Sequence, residues 1–351
     1  MNALEQQLHY PFGESLPEPG NALDVAPGIR WVRMGLPFAL NHVNLWLLRD
    51  RIDGRDGWTV VDCCIDSPAS RAQWEDIFAH ALDGLPVLRV VVTHMHPDHI
   101  GLAHWLCERW NAPFHISATD FFSAHLGSYG PGFGGDAAAD FFAAHGLQDA
   151  AALDAIRQRK GYYKGLVPAV PPRFHRLMDG GTLSIGGHPW TCIAGYGHAP
   201  EHMALYNAET NMLIGGDMML PRISTNISVF NAEPEANPLD LFLASIDRFR
   251  ALPADVLCLP SHGKPFTGVH TRIDQLHDHH RERLAELLLA CAESPKTAAD
   301  VLLLLFKRAL DVHQTTFAMG EAIAHLHRLW YAHQVQRSLD PDGIYRFKTP
   351  Q

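Results

Sequence analysis

Leu88-Arg89-Val90-Val91-Val92-Thr93-His94-Met95-His96-Pro97-Asp98-His99 is the stretch on which the reading of this chain turns. An apolar, β-branched run delivers its C-terminal end into three imidazoles and a carboxylate. At a strand end a tight turn lets such side chains converge on a cation without leaving charged groups buried and unpaired. A capping aspartate beside surface histidines accounts for any one of these residues, but not for the whole H-x-H-x-D-H pattern.

Residues this close cannot complete two metal shells, so further donors are expected downstream. Three more apolar runs each end in one ligand-type residue beside glycine: Ile193-Ala194-Gly195-Tyr196-Gly197-His198, Met212-Leu213-Ile214-Gly215-Gly216-Asp217 and Val256-Leu257-Cys258-Leu259-Pro260-Ser261-His262-Gly263. Glycine at a strand end frees the backbone to turn and admits a close approach by metal or substrate. Four strand ends therefore point at one site.

In this order the pattern resembles the metallo-β-lactamase superfamily, over about residues 25 to 268. The resemblance implies an α/β fold, a four-layer αβ/βα sandwich built from two similar halves. It implies that His94, His96 and His198 hold one metal and that Asp98, His99 and His262 hold the other, with Asp217 bridging both. Asp62, ending Trp58-Thr59-Val60-Val61-Asp62, matches the aspartate that supports the ligand loop by hydrogen bonds. Tyr196 departs from the pattern, standing where many members carry proline.

The chemistry implied is that of two divalent metal ions. Zinc is the first expectation, with iron and manganese left open because geometry and availability choose among them more than residue type does. A bridging water of lowered pKa would attack a carbonyl or phosphoryl group, and the cations would stabilise the developing oxyanion. Asp98, the ligand nearest the leaving group in that family's geometry, is the candidate for proton transfer.

Composition agrees with a globular enzyme. With 351 residues, 47% of them hydrophobic, the chain has material for one large and one small domain. Six cysteines lack any C-x-x-C pair, and several sit in apolar runs, which reads as free thiols in a reducing compartment. Neither a secretory leader nor an apolar run of membrane-spanning length is evident, so a cytoplasmic location without membrane association is expected. A net charge of −10 argues against a surface built wholly for nucleic acid. Of 23 histidines, those at 277, 279 and 280 fall in a helical stretch and are expected to face solvent, with His277 and His280 spaced for a weak surface metal pair.

Residues 29–34, 43–49 and 58–62 read as the strands of a first half-sheet. Residues 100–110 have helical spacing, opened by Pro97, and 114–117 are a short strand. Between 118 and 173 lie helical pieces broken by Gly127-Ser128-Tyr129-Gly130-Pro131-Gly132-Phe133-Gly134-Gly135, an insertion placed to act as a lid. Its Tyr129, Phe133, Tyr162, Tyr163 and Lys164 are the expected substrate contacts, against the reading that they only pack the lid. Residues 176–187 are expected to resume the sheet as a hairpin, and Arg222 to meet an anionic group or a structural carboxylate.

The catalytic domain is thus expected over 1–268, a connecting helix over 269–293 and a small domain over 294–351. In the last, helices at 299–310 and 315–333 precede a hairpin running from Val335 to Phe347. That order resembles the winged-helix module found at the C-terminus of some superfamily relatives, including a ribonuclease branch. With seven Lys and Arg against five Asp and Glu it is not strongly basic, and bracing the fold or a homodimer is the competing reading. Three function classes follow: a small-molecule hydrolase of an ester, thioester or lactone-type bond, a single-strand endoribonuclease, and a mono-iron sulfur dioxygenase. The acidic charge and aromatic lid favour the first.

Overall fold

A computed structural model describes residues 4–130, 133–307 and 310–350; Pro131 and Gly132 of the glycine-rich run, and residues 308–309 of the expected tail helix, lie outside the described residues. Strands β1 (Ala22–Ala26), β2 (Ile29–Gly35), β3 (His42–Ile52), β4 (Arg55–Val61), β5 (Val87–Val91), β6 (Phe114–Ser117) and β7 (His175–Leu177) form one sheet in chain order. Strands β8 (Thr182–Ile185), β9 (His188–Gly195), β10 (His202–Asn207), β11 (Met212–Gly216) and β12 (Leu257–Pro260) form a second. The antiparallel meander of β1 to β4 gives way to parallel pairing from β4 to β7, where each return passes through helix.

Side-chain alternation explains why the two sheets stack. On β3, Trp46 and Leu48 point into one apolar cluster while Leu45 and Leu47 point into another. Val61 and Val91 share the first of these clusters with Met203, Leu205, Ile214 and Leu259 of the second sheet, so it is the core between the sheets. On the outer face of the first sheet, Val60 and Val90 meet helices Pro68–His80 and Ala103–Trp110. On the outer face of the second, Leu213 and Cys258 meet helices Pro238–Asp247 and Val269–Glu293. Helix, sheet, sheet, helix is the four-layer order expected.

Local differences from expectation have physical causes. Residues 176–187 are not one hairpin: β7 closes the edge of the first sheet and β8 opens the second, with the Met178–Gly181 turn crossing between them. The helix expected at 100–110 is two pieces, Pro97–Ile100 and Ala103–Trp110. Gly101 sits at the break, where an added Cβ would lie 2.6 Å from the Cys64 carbonyl oxygen. His280 does not face solvent. Its Nδ1 lies 3.1 Å from His325 Nε2 in the core while His277 turns to Asp247, so the two cannot form a surface metal pair.

After Val269–Glu293 come the short helix Leu302–Phe306, the helix Val312–Tyr331 and strands β13 (Gln336–Leu339) and β14 (Tyr345–Lys348). Lys296 pairs with Phe347, tying the hairpin to the start of the segment. Met319, Ile323, Leu326 and Phe347 lie in the same apolar cluster as Phe142 and Ile156 of the insertion and Phe242 of the second half. The tail therefore shares a core with both. All six cysteines are free, five of them buried, and among the described residues no helix is long and apolar enough to cross a membrane.

Candidate metal centre

The four strand ends meet at one edge of the sandwich. β5 leads to Thr93 and the His94–His99 turn, β9 to His198, β11 to Asp217 and β12 to His262. Two glycines make the approach. Gly197, with φ +94°, could not carry a Cβ, which would fall 2.2 Å from the Pro238 carbonyl oxygen. Gly216, with φ +54°, would push one to 2.1 Å from His202 Nε2.

Donor atoms fall into two sets. His94 Nε2 lies 3.0 Å from His96 Nδ1 and 3.2 Å from His198 Nε2, and His198 Nε2 is 3.2 Å from Asp217 Oδ2. His262 Nε2 lies 3.4 Å from both Asp98 Oδ2 and Asp217 Oδ1, and His99 Nε2 lies 3.6 Å and 3.5 Å from the same two oxygens. Each group could hold a metal ion, and the two carboxylate oxygens of Asp217 face one group each. Among the described residues, His99 Nε2 and Asp217 Oδ1 are buried with no hydrogen-bond partner, an arrangement that a cation would satisfy. The nitrogen and oxygen donors, with no sulfur, suit zinc, iron or manganese alike.

The far sides of the imidazoles are held, so the rings can aim only one way. His99 Nδ1 bonds Asp62 Oδ2 at 2.8 Å, His198 Nδ1 the Asn226 carbonyl at 2.8 Å, and His262 Nδ1 the His42 carbonyl at 2.7 Å. Asp62 also accepts the Thr93 backbone N–H at 2.8 Å and the Thr93 hydroxyl. It sits at φ 63°, a left-handed conformation uncommon for aspartate and kept where a site requires it.

Charge follows the same division. Burial, then the neighbouring imidazoles, hold His94 and His96 well below the usual histidine pKa. Burial pulls His99 down as well, but Asp98, Asp62 and Asp217 outweigh it and push its pKa up to about 10. His262 is raised against burial by Asp217 and Asp98. Burial opposes ionisation of Asp217, yet His262, His99 and His198 hold it well below the carboxylate range.

Three supports have no sequence signal in H-x-H-x-D-H. His202 Nε2 accepts the Asp217 backbone N–H at 3.2 Å, and burial with the nearby histidines drives its pKa down to about 3. Its only cue is its place four residues after His198. Buried Asp120 accepts Met95 N–H at 2.8 Å on one oxygen and Glu201 N–H at 2.7 Å on the other, clamping the ligand turn to the loop after His198; burial raises its pKa to about 6. Asn226, whose carbonyl orients His198, is itself held by Glu321 of the tail at 3.2 Å.

An Asp120→Asn substitution presents an NH2 group where an acceptor is needed. It is expected to cost about 2 kcal/mol and to weaken metal binding by roughly tenfold. Urea unfolding and chelator competition measure the two effects. Wild-type values in both would remove Asp120 from the site's support.

The lid residues separate. Phe133, Tyr162 and Tyr163 line a cavity of about 210 Å³ beside His96 and His198, with Phe230, Arg159 and, from the tail, Phe317. Tyr163 is 7% exposed and donates its hydroxyl to the Met95 carbonyl at 2.5 Å, so it braces the ligand turn as well as forming the wall. Tyr129 and Lys164 are exposed and do not line that cavity; Tyr129 instead accepts Val170 N–H at 3.2 Å. Arg222 lies on the other side of the centre, 68% exposed and 3.9 Å from Glu5.

The family profile of the metallo-beta-lactamase superfamily matches residues 40–262, and that of a metallo-beta-lactamase-like C-terminal domain matches residues 284–350. The chain belongs to the metallo-beta-lactamase superfamily. It is 24% identical over 323 residues to the probable metallo-hydrolase YqjP of Bacillus subtilis, covering 91% of this chain and 97% of that one. A beta-lactamase domain protein from Burkholderia ambifaria superposes with a TM-score of 0.95 at 54% identity, covering 99% of this chain and all (100%) of that one. A metallo-beta-lactamase family protein from Thermus thermophilus superposes with a TM-score of 0.76 at 30% identity, over 93% of this chain and 100% of that one. This superfamily member is a metal-dependent hydrolase with a His/Asp cluster fit for divalent metal.

Proposed function

We propose that the protein hydrolyses a small-molecule ester, thioester or lactone-type bond with two divalent cations, zinc in the first instance. One observation carries this reading: the donors form two sets that share Asp217, one carboxylate oxygen to each. His94, His96 and His198 would hold one cation, Asp98, His99 and His262 the other. When bound, such a pair supplies a water of lowered pKa and a Lewis acid for the oxygen of the scissile group.

The chain's own residues do the rest. Asp62 fixes His99 and the Thr93 turn, Asn226 fixes His198, and the His42 carbonyl fixes His262. Asp98, with 20% of its side chain exposed against 10% for Asp217 and 2% for Asp62, is the carboxylate open to the cleft. We assign it proton delivery to the leaving group. Phe133, Tyr162, Phe230 and Phe317 form an apolar wall that excludes water from the His96 side and suits an acyl or aryl group. On this reading the tail is a brace. Its Phe317 closes the wall and its Glu321 holds Asn226, which supports a structural role over nucleic-acid binding.

Zinc has no redox chemistry, so turnover with zinc as the sole metal is expected to persist under strict anaerobiosis. The test is a panel of thioesters, lactones, phosphodiesters and single-stranded RNA run on the zinc-loaded protein with and without oxygen. Oxygen uptake by iron-loaded protein, with zinc-loaded protein inert throughout, would overturn the hydrolase in favour of oxygen chemistry. Selective cleavage of the RNA would overturn the small-molecule substrate.

A further inference from the structure

A second cavity, about 750 Å³, opens on the opposite side of the centre, beside His262. Its wall carries Arg33, Lys264 and Arg222 against Glu5 and Glu14, a positive excess in a chain of net charge −10. Lys264 pairs with Glu14 at 2.8 Å, and Arg222 lies 3.9 Å from Glu5. Arg33 differs from both. It is half-buried on β2, its Nη1 donates to the Gly263 carbonyl at 3.2 Å, and no carboxylate among the described residues pairs with it.

A guanidinium withdrawn from water without a counter-ion is costly, and its planar fork matches a carboxylate or phosphate. The position of Arg33 relative to the metal centre is fixed through Gly263, the residue after His262. Gly263 O also accepts from Asn44 Nδ2 at 3.0 Å, and Gly263 N–H donates to His42 Nε2 at 2.8 Å. With Nε2 accepting from Gly263, His42 donates through Nδ1 to Asn41 at 2.9 Å, so both ring nitrogens are engaged in holding this turn.

We infer that this cavity is the anion-binding arm of the substrate cleft, in which Arg33, with Arg222 and Lys264 at the rim, takes a carboxylate or phosphate group of the substrate. The inference rests on the hydrolase reading and narrows it. The substrate is an amphiphilic ester or thioester whose apolar part lies against Phe133, Phe230 and Phe317 and whose oxyanion lies past His262. Arg33 is then a specificity residue, remote from the bond that breaks.

The test measures binding, which needs no turnover. Succinate and inorganic phosphate are titrated calorimetrically into metal-loaded wild-type and Arg33→Gln proteins of equal metal content, since direct coordination to the cations is common to both. Affinity for at least one anion is expected to fall by about tenfold or more in the variant, the loss typical of a hydrogen-bonded charged partner. The anion with the larger loss identifies the group. Equal affinities in the two proteins overturn the inference. So does Arg33-dependent binding of a single-stranded RNA oligomer far tighter than either small anion, which would make the arm a nucleic-acid track. If Arg33→Gln does not fold, Arg222→Glu at the exposed rim reads the same arm. Its anion affinity must fall, and an unchanged value counts against the proposal. Arg33-dependent binding in a protein that hydrolyses nothing would leave the anion arm standing and remove only the hydrolase reading.

Discussion

Asp217→Ala is expected to bring the purified protein from close to two metal ions per chain to one or none, and to lower kcat on the order of a thousandfold or more. Its two oxygens are the only ones that face both donor sets among the described residues, Oδ2 toward His198 and Oδ1 toward His99 and His262. Alanine leaves each set with a gap at the same point, so neither cation keeps a full complement of donors. The fold should survive. Thr225 hydrogen-bonds the backbone carbonyl of Asp217, and His202 takes its backbone N–H, so neither contact depends on the side chain. Elemental analysis and circular dichroism on one preparation separate these effects. A variant that is fully loaded and active would show that Asp217 does not bridge.

Much of this site could be read from the chain because its signals are local. The His94–His99 turn directly follows a buried five-residue strand, and the other donors each end an apolar run at a glycine. The continuous apolar runs of β3 and β4 mark them as strands just as directly, although which sheet face each side chain takes shows only in the packing. What could not be read depends on contacts made across the fold. Ser117 caps the helix that carries Asp120 by accepting its backbone N–H, yet the Asp120 carboxylate reaches Met95 and Glu201, far away in sequence. Nothing near Glu321 indicates that it holds Asn226. Lys164 and Tyr163 are adjacent in an aromatic stretch, but one helical step puts the first in solvent and the second under the ligand turn. His280 looks like one of several surface histidines until the tail helix places His325 against it.

The two metal positions are expected to respond differently to acid. In the metal-free protein His99, with a pKa near 10, holds a proton at neutrality in a field of three carboxylates. Because that value lies above the unfolded one, this proton stabilises the metal-free fold fully below about pH 6.5, and the contribution is lost as pH rises through the folded pKa. A cation entering between Asp98, His99 and His262 must displace the proton, so its apparent affinity falls by about tenfold for each pH unit of acidification while one proton is displaced. Burial and the neighbouring imidazoles keep His94 and His96 neutral, so neither brings a proton that a cation entering beside them must displace. Calorimetric titration with zinc between about pH 6 and pH 8, in buffers of different ionisation enthalpy, should give a first equivalent whose affinity depends less on pH than that of the second. The second equivalent should weaken toward acid and release more protons. Activity should fall along with it, because the chemistry proposed needs both positions filled. Two equivalents with the same pH dependence would mean that the carboxylates around His99 do not hold its proton, and that the metal positions are not electrostatically distinct.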